Sequence, residues 1–159
     1  MIVRTPLNEF ERVYRRSYPR FVRVATAITR RPETAAEAVQ EAFARAIQNR
    51  QQFRGEAPLE AWIWRAVLNE AKRAALDPEP AADVPAAAGM NGVVPEDTAV
   101  RALIASLPER QRLAVFLRYY ADLDYRTIGL VLEIETGTVS ATLAAAHRTL
   151  REAIEGVRS

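Results

Sequence analysis

Cysteine is absent from this 159-residue chain, which excludes disulfides and thiolate metal sites. Histidine occurs once, as His147, too few for a His-built metal centre. No apolar run approaches the roughly 20 residues needed to span a bilayer. The N-terminus has no uninterrupted apolar stretch behind Arg4 and so does not resemble a secretory leader. Neither a nucleophile–base pair nor a phosphate-cradling loop is evident. These absences predict a soluble, cytoplasmic chain that is not an enzyme, needs no cofactor and has no membrane-inserted part.

Lysine is nearly missing as well. Among 22 basic residues only Lys72 is not arginine, and arginine is the better bidentate ligand for phosphate. The formal net charge is +2, but it is unevenly spread. Residues 1–76 carry +6, residues 77–100 carry −5 and residues 101–159 carry +1. That asymmetry points to a polyanionic partner for the N-terminal part.

Hydrophobic periodicity is helical wherever it is clear, so the expected fold is all-α. Thr5-Pro6 reads as a cap and first helical turn, with Leu7, Phe10, Val13 and Tyr14 inward. Ser17-Tyr18-Pro19 reads as a restart, with Phe21, Val24, Ala25 and Ile28 continuing the stripe. Arg12, Arg15, Arg16, Arg20, Arg23, Arg30 and Arg31 crowd the same stretch. Thr34 and Glu37 have capping-box spacing. Behind them Ala35, Ala38, Val39, Ala42, Phe43, Ala46 and Ile47 repeat with period 3.6, leaving Glu37, Gln40, Glu41 and Arg45 on the other side.

The segment FRGEAPLEAWIWRAVLNEAKR, residues 53–73, opens on a turn and continues as a helix from Pro58. Leu59, Trp62, Ile63, Ala66 and Val67 form its expected core stripe, with Trp64 left between faces. Arg65, Asn69, Lys72 and Arg73 make a polar, mostly cationic ladder. Cations, an amide and a spare indole on one rod can track a phosphate backbone and stack on an unpaired base; a solvated face over a core helix is the plainer alternative.

Residues 77–95 are rich in Pro, Ala and acids without periodicity and read as a linker. It separates two small helical domains, residues 1–76 and 96–159. In the second, a helix is expected near Glu96–Ser106, and another starts at Leu107-Pro108-Glu109 with Leu113, Phe116, Leu117 and Tyr120 inward. Asp124 can cap a short helix ending near Leu132, and a longer one follows from about Gly137. Two helices across so short a turn form a helix-turn-helix. Ile128, Leu132, Ile134 and Val139 fall where the pair must touch, and Gly129 permits close approach.

Three stretches stand in order around the linker: YPRFVRVATAITRRPETAAEAVQEAFARA, FRGEAPLEAWIWRAVLNEA, and LIASLPERQRLAVFLRYYADLDYRTIGLVLEIETGTVSATL. Together they resemble an extracytoplasmic-function (ECF) sigma factor of the bacterial sigma-70 family. The resemblance implies a region 2-like domain that binds the β′ clamp helices of core RNA polymerase and melts the −10 promoter element. It implies a region 4-like domain that binds the β flap and reads the −35 element, with an anti-sigma factor as a further class of partner. By position, Glu37, Gln40 and Glu41 are the implied polymerase contacts. Phe53, Arg54, Arg65, Asn69, Lys72 and Arg73 are the implied −10 set, with Trp62 a packing residue. Arg126, Thr127, Thr138, Ser140, Thr142 and Arg148 are the implied −35 set.

Departures from the family pattern concentrate in the second domain. After Gly137-Thr138-Val139, where bases usually follow, stand Ser140-Ala141-Thr142 and Ala144-Ala145. The usual glycine of the turn is Glu133, strained if it takes positive φ. Lost phosphate contacts should weaken binding and flatten its salt dependence, so a weak or divergent −35 contact is expected. A sigma-like module that binds polymerase or a regulator without reading promoters is the alternative. A free-standing DNA-binding regulator fits less well with a near-neutral recognition helix.

Overall fold

The computed structural model describes residues 5–76 and 98–158, which form two compact units, one on each side of the intervening segment. The linker expected over residues 77–95, and Glu96, lie outside the described residues. Seven α-helices and no strand occur among the described residues, in agreement with the all-α expectation.

Unit 1 is three helices packed on one another: α1 (Leu7–Thr29), α2 (Pro32–Gln48) and α3 (Leu59–Ala75). A short 3-10 turn, Arg50–Gln52, follows α2. Helix α1 is continuous through Pro19, whereas the sequence suggested a break there. An interior proline costs about 3 kcal/mol. One unbroken stripe of Phe10, Val13, Phe21 and Val24, all buried, outweighs that loss. Thr5 does not cap this helix; Pro6 holds the N-cap position and Leu7 is exposed. Arg30 ends it in the left-handed region (φ 65°), its N–H bonded to the Thr26 carbonyl at 2.7 Å.

The expected Thr34–Glu37 capping box is also absent. Helix α2 starts three residues earlier, at Pro32, with Arg31 as N-cap, because a proline at the first position already supplies helical φ and wastes no donor. The Thr29 hydroxyl shapes the entry instead, accepting from the Arg31 N–H at 3.3 Å and donating to its carbonyl at 3.1 Å. The α2 stripe follows expectation: Ala35, Ala38, Val39, Ala42, Phe43 and Ala46 are buried.

A chain of rings holds the three helices together. Phe21 lies 4.4 Å from Trp64 and 5.5 Å from Phe43, whose ring meets Tyr14 edge-on at 5.0 Å. Trp64 is fully buried, and Trp62 and Ala66 are only half-buried. The tryptophan expected in the core and the one expected between faces are therefore exchanged. Residues two apart sit about 200° from each other around a helix. The stripe of Ile63, Trp64, Val67, Leu68 and Ala71, all buried, accordingly turns Trp62 outward. The Ser17 hydroxyl, in the α1 core face, donates to the Glu60 carboxylate of the first α3 turn.

Unit 2 contains α4 (Thr98–Ala105), α5 (Glu109–Val115), α6 (Tyr125–Leu132) and α7 (Thr136–Arg158). After Val115 the chain widens into a π turn, Phe116–Tyr120. Leu107, Leu113, Phe116, Leu117, Ile128, Val139 and Leu143 build the core. Arg112 donates to the carbonyls of Ala105 and Leu107, both at 3.2 Å, satisfying acceptors left open at the end of α4. Of the two adjacent tyrosines, Tyr120 is buried. Tyr119 is half-buried and its hydroxyl is bonded to His147 Nε2 at 2.7 Å.

Candidate nucleic-acid interface

The outer face of α3 begins with the turn before it. Gly55 takes φ 77° there, a conformation that costs glycine little. The turn brings Phe53 against Trp62, ring centroids 5.4 Å apart and tilted by 46°, while Phe10 meets the same indole edge-on at 6.5 Å. From Trp62 the positions Arg65, Asn69 and Arg73 follow at three- and four-residue steps along one side of the rod. Eleven residues at 1.5 Å each make this line about 16 Å long. Asn69, Arg73 and Arg54 are exposed; Phe53, Arg65 and Lys72 are half-buried. Five of the six expected −10 positions thus share one surface with Trp62, and Arg54 projects from the turn.

Arg73, the last of that set in chain order, is anchored. It donates to Glu70 at 3.1 Å. Glu70 also accepts from Arg45 of α2 at 3.0 Å, and Arg45 lies 3.1 Å from Glu41. Charges of alternating sign therefore run Glu41, Arg45, Glu70, Arg73 from α2 to α3. Glu70 is only 8% exposed, so two guanidiniums offset the cost of burying its carboxylate. Its one mark in the sequence is that it is the lone acid between Glu60 and Asp77. Glu37, Gln40 and Glu41 are all exposed on the outer side of α2, one helical turn long.

In unit 2, α6 and α7 meet at 98° across Glu133, Ile134 and Glu135, the geometry of a helix-turn-helix. Gly129 is needed for this approach: a Cβ there would stand 2.7 Å from the Ile134 carbonyl oxygen and 3.6 Å from Val139. Glu133 takes φ 60°, so the residue standing at the usual glycine position carries left-handed strain. Ile128 and Val139 are buried in the contact, with Leu132 and Ile134 half-buried beside it.

Asp124 caps α6 by accepting from the Thr127 N–H at 2.8 Å. Hydrogen bonds from the Thr127 side chain and backbone, with the Arg126 and Arg118 charges, hold the Asp124 carboxyl below its ordinary pKa. Thr127, half-buried, supplies the N–H that this cap binds. Arg118 donates to the Leu123 carbonyl at 3.0 Å and lies 5.5 Å from the centre of the Tyr125 ring.

The solvent face of α7 is short of charge. Ser140, Ala141, Ala144 and Arg148 are exposed, and Thr138 and Thr142 are half-buried at its flank. Arg126 is exposed at the start of α6. Arg151, not among the expected contacts, is exposed and continues the line of Ser140, Ala144 and Arg148. Its three-turn spacing from Ser140 is the sequence signal that marks it.

A model of sigma-70 region 2 matches residues 13–77, and one of sigma-70 region 4 matches residues 97–150. The chain is 30% identical over 139 residues to the ECF RNA polymerase sigma-E factor of Escherichia coli strain K12, covering 75% of this chain and 71% of that one. It belongs to the ECF RNA polymerase sigma factors. The ECF sigma factor SigM of Mycobacterium tuberculosis is another relative, 29% identical over 146 residues, with 89% of this chain and 74% of that one aligned. Among solved structures, CnrH in complex with the cytosolic domain of CnrY superposes with TM-score 0.72 at 15% identity, over 95% of this sigma factor and 90% of that chain. The sigma factor RpoE of Bartonella quintana, solved with the anti-sigma factor NepR, gives 0.69 at 19% identity over 93% and 98%. These two share the fold. No single described helix of this sigma factor is long and apolar enough to cross a membrane.

Proposed function

We propose that residues 1–76 of this sigma factor dock on core RNA polymerase and hold the unwound non-template strand of the −10 element, while residues 96–159 make a weak −35 contact. Glu37, Gln40 and Glu41 present carboxylates and an amide that fit a basic helical partner such as the β′ clamp. Phe53 and Trp62 form a stacking platform at the head of α3. Arg54, Arg65, Asn69, Lys72 and Arg73 run from it as phosphate and base-edge contacts. The observation that carries this reading is the Phe53–Trp62 pair at 5.4 Å on a half-buried surface, continuous with exposed Asn69. Extruding a base costs a few kcal/mol and needs stacking to offset it; a base on an aromatic ring returns about 1–3 kcal/mol.

The −35 contact is weak on this reading because the exposed face of α7 offers Ser140, Ala141 and Ala144, with Arg148 and Arg151 as its nearest cations. Ser140 and Thr142 hydroxyls supply base-edge hydrogen bonds; Thr138 flanks them, Arg126 and Arg148 reach phosphates, and Thr127 holds the cap that places Arg126. Polymerase tethers the second domain through the β flap, so the second contact forms at high effective concentration and needs little affinity of its own. The sigma factor of like fold solved with the anti-sigma factor NepR supports an anti-sigma factor as a regulatory partner.

The test of docking is the double variant Gln40→Ala, Glu41→Arg. It should fail to co-purify with core polymerase while keeping its helical circular dichroism. Retained binding would overturn the docking assignment.

A further inference from the structure

The arginines of α1 are not used by either surface above. From Arg12 to Arg31 the sequence holds seven arginines and no acid. Arg12, Arg15, Arg16 and Arg23 lie on the side of α1 opposite its buried stripe, with Arg20 at the margin. The side chains of Arg15 and Arg16 are 78% and 62% exposed even though each has a carboxylate neighbour, Glu11 at 2.9 Å and Glu60 at 3.4 Å. Arg12, Arg16 and Arg20 repeat at four-residue steps, and like charges at that spacing repel one another. Glu11 and Glu60 neutralise part of this face, but beyond Glu11 the helix itself carries arginines and no acid, a cationic excess that a polyanion offsets. Arg16 meets Glu60, which lies about 160° around α3 from Trp62. The α1 face is therefore distinct from the Trp62–Asn69 line.

From these observations we infer that the outer face of α1 is a phosphate track for double-stranded DNA, carrying no sequence information. Arg12 to Arg23 spans about 17 Å of helix axis, which matches about five base pairs of duplex. Arginine forks suit phosphate oxygens, and such contacts position a duplex without reading it. The assignment rests on the proposed function only for which duplex is met, namely the one flanking the unwound segment.

The experiment uses the full chain and a random-sequence 20-base-pair duplex, with binding followed by fluorescence anisotropy between 50 and 200 mM salt. Arg12→Gln, Arg16→Gln and Arg20→Gln combined should lower the slope of log K against log salt by about 2–3, at about 0.9 per phosphate contact. The matching triple Arg→Lys variant keeps the charges and should hold the slope within about 0.5 of wild type. An unchanged slope in the Gln variant overturns the proposal, and so does an equal loss in a Lys variant with wild-type circular dichroism, since that variant keeps every charge. A parallel titration uses the same duplex with an unpaired bubble. Loss of bubble preference in wild type, with the α1-dependent slope intact, would sink the α3 reading alone. Loss of the slope with bubble preference intact would sink this one alone.

Discussion

The two tryptophans of α3 should have opposite roles, and truncating each separates them. Trp64 is fully buried with its ring 4.4 Å from Phe21. Removing such a side chain leaves a cavity, and Trp→Ala in a core costs about 3–5 kcal/mol. Trp62 is half-buried and touches Phe53 and Phe10 at 5.4 and 6.5 Å. Aromatic pairs add about 0.5–1.5 kcal/mol beyond burial, so Trp62→Ala should cost about 1–2 kcal/mol. For a domain of this size each kcal/mol moves Tm by about 4–8 °C. Trp62→Ala should therefore melt about 4–16 °C below wild type, and Trp64→Ala about 12–40 °C below it or not fold at all. Both tryptophans of the chain lie in α3, so intrinsic fluorescence reports unit 1 alone and avoids mixing two unfolding transitions. In the Trp64→Phe variant the remaining Trp62 should emit to the red, be quenched by iodide, and be quenched further by a single strand. In Trp62→Phe the remaining Trp64 should resist both. Equal iodide quenching, or a larger stability loss from Trp62→Ala than from Trp64→Ala, would refute the assignment of faces and with it the stacking platform.

Further outcomes follow from the helix-turn-helix. Gly129→Ala should destabilise unit 2 by about 1–3 kcal/mol, the range for overpacking, because its methyl would meet the Ile134 carbonyl. Glu133→Gly should stabilise it by about 0.5–1 kcal/mol through relief of left-handed strain. Amide exchange across α6 and α7 in the full chain reads both, and a neutral Gly129→Ala would contradict the close approach. Asp124→Ala should cost about 1 kcal/mol at neutral pH, the usual worth of a cap. Since the folded carboxyl titrates below its ordinary range, its contribution is complete above that range and is lost as pH falls through the folded value. The gap between wild type and Asp124→Ala should thus hold from about pH 7 to 5 and close below about pH 4; a gap unchanged at about pH 2 would contradict the cap.

Helix order, the two units and the turn at Glu133 were legible in the sequence because each rests on local chemistry: Pro58 at a helix start, Asp124 before a helix, Gly129 where two rods cross. The phase of α3 was not. Ala61, Trp62, Ile63, Trp64, Ala66, Val67 and Leu68 are apolar around most of the circumference, so periodicity fits two rotations almost equally. Only the Phe21 and Phe43 rings of α1 and α2 decide between them. Pro19 misled for a related reason: a local penalty lost to a tertiary stripe. At the site, Glu37, Gln40 and Glu41 were recognisable as a solvent face of α2. The link from Arg45 to Glu70 was not, because it joins residues that become neighbours only when α2 packs on α3. Arg73 accordingly reads as an unengaged cation in the sequence and as the end of an ion-pair chain in the fold.

Transcription by core polymerase plus this chain on a randomised promoter library bears most directly on whether unit 1 melts and holds promoter DNA. The account predicts defined start sites with strong base preference at −10 and little at −35. Tight polymerase binding with no transcript, or a preference confined to −35, would contradict it.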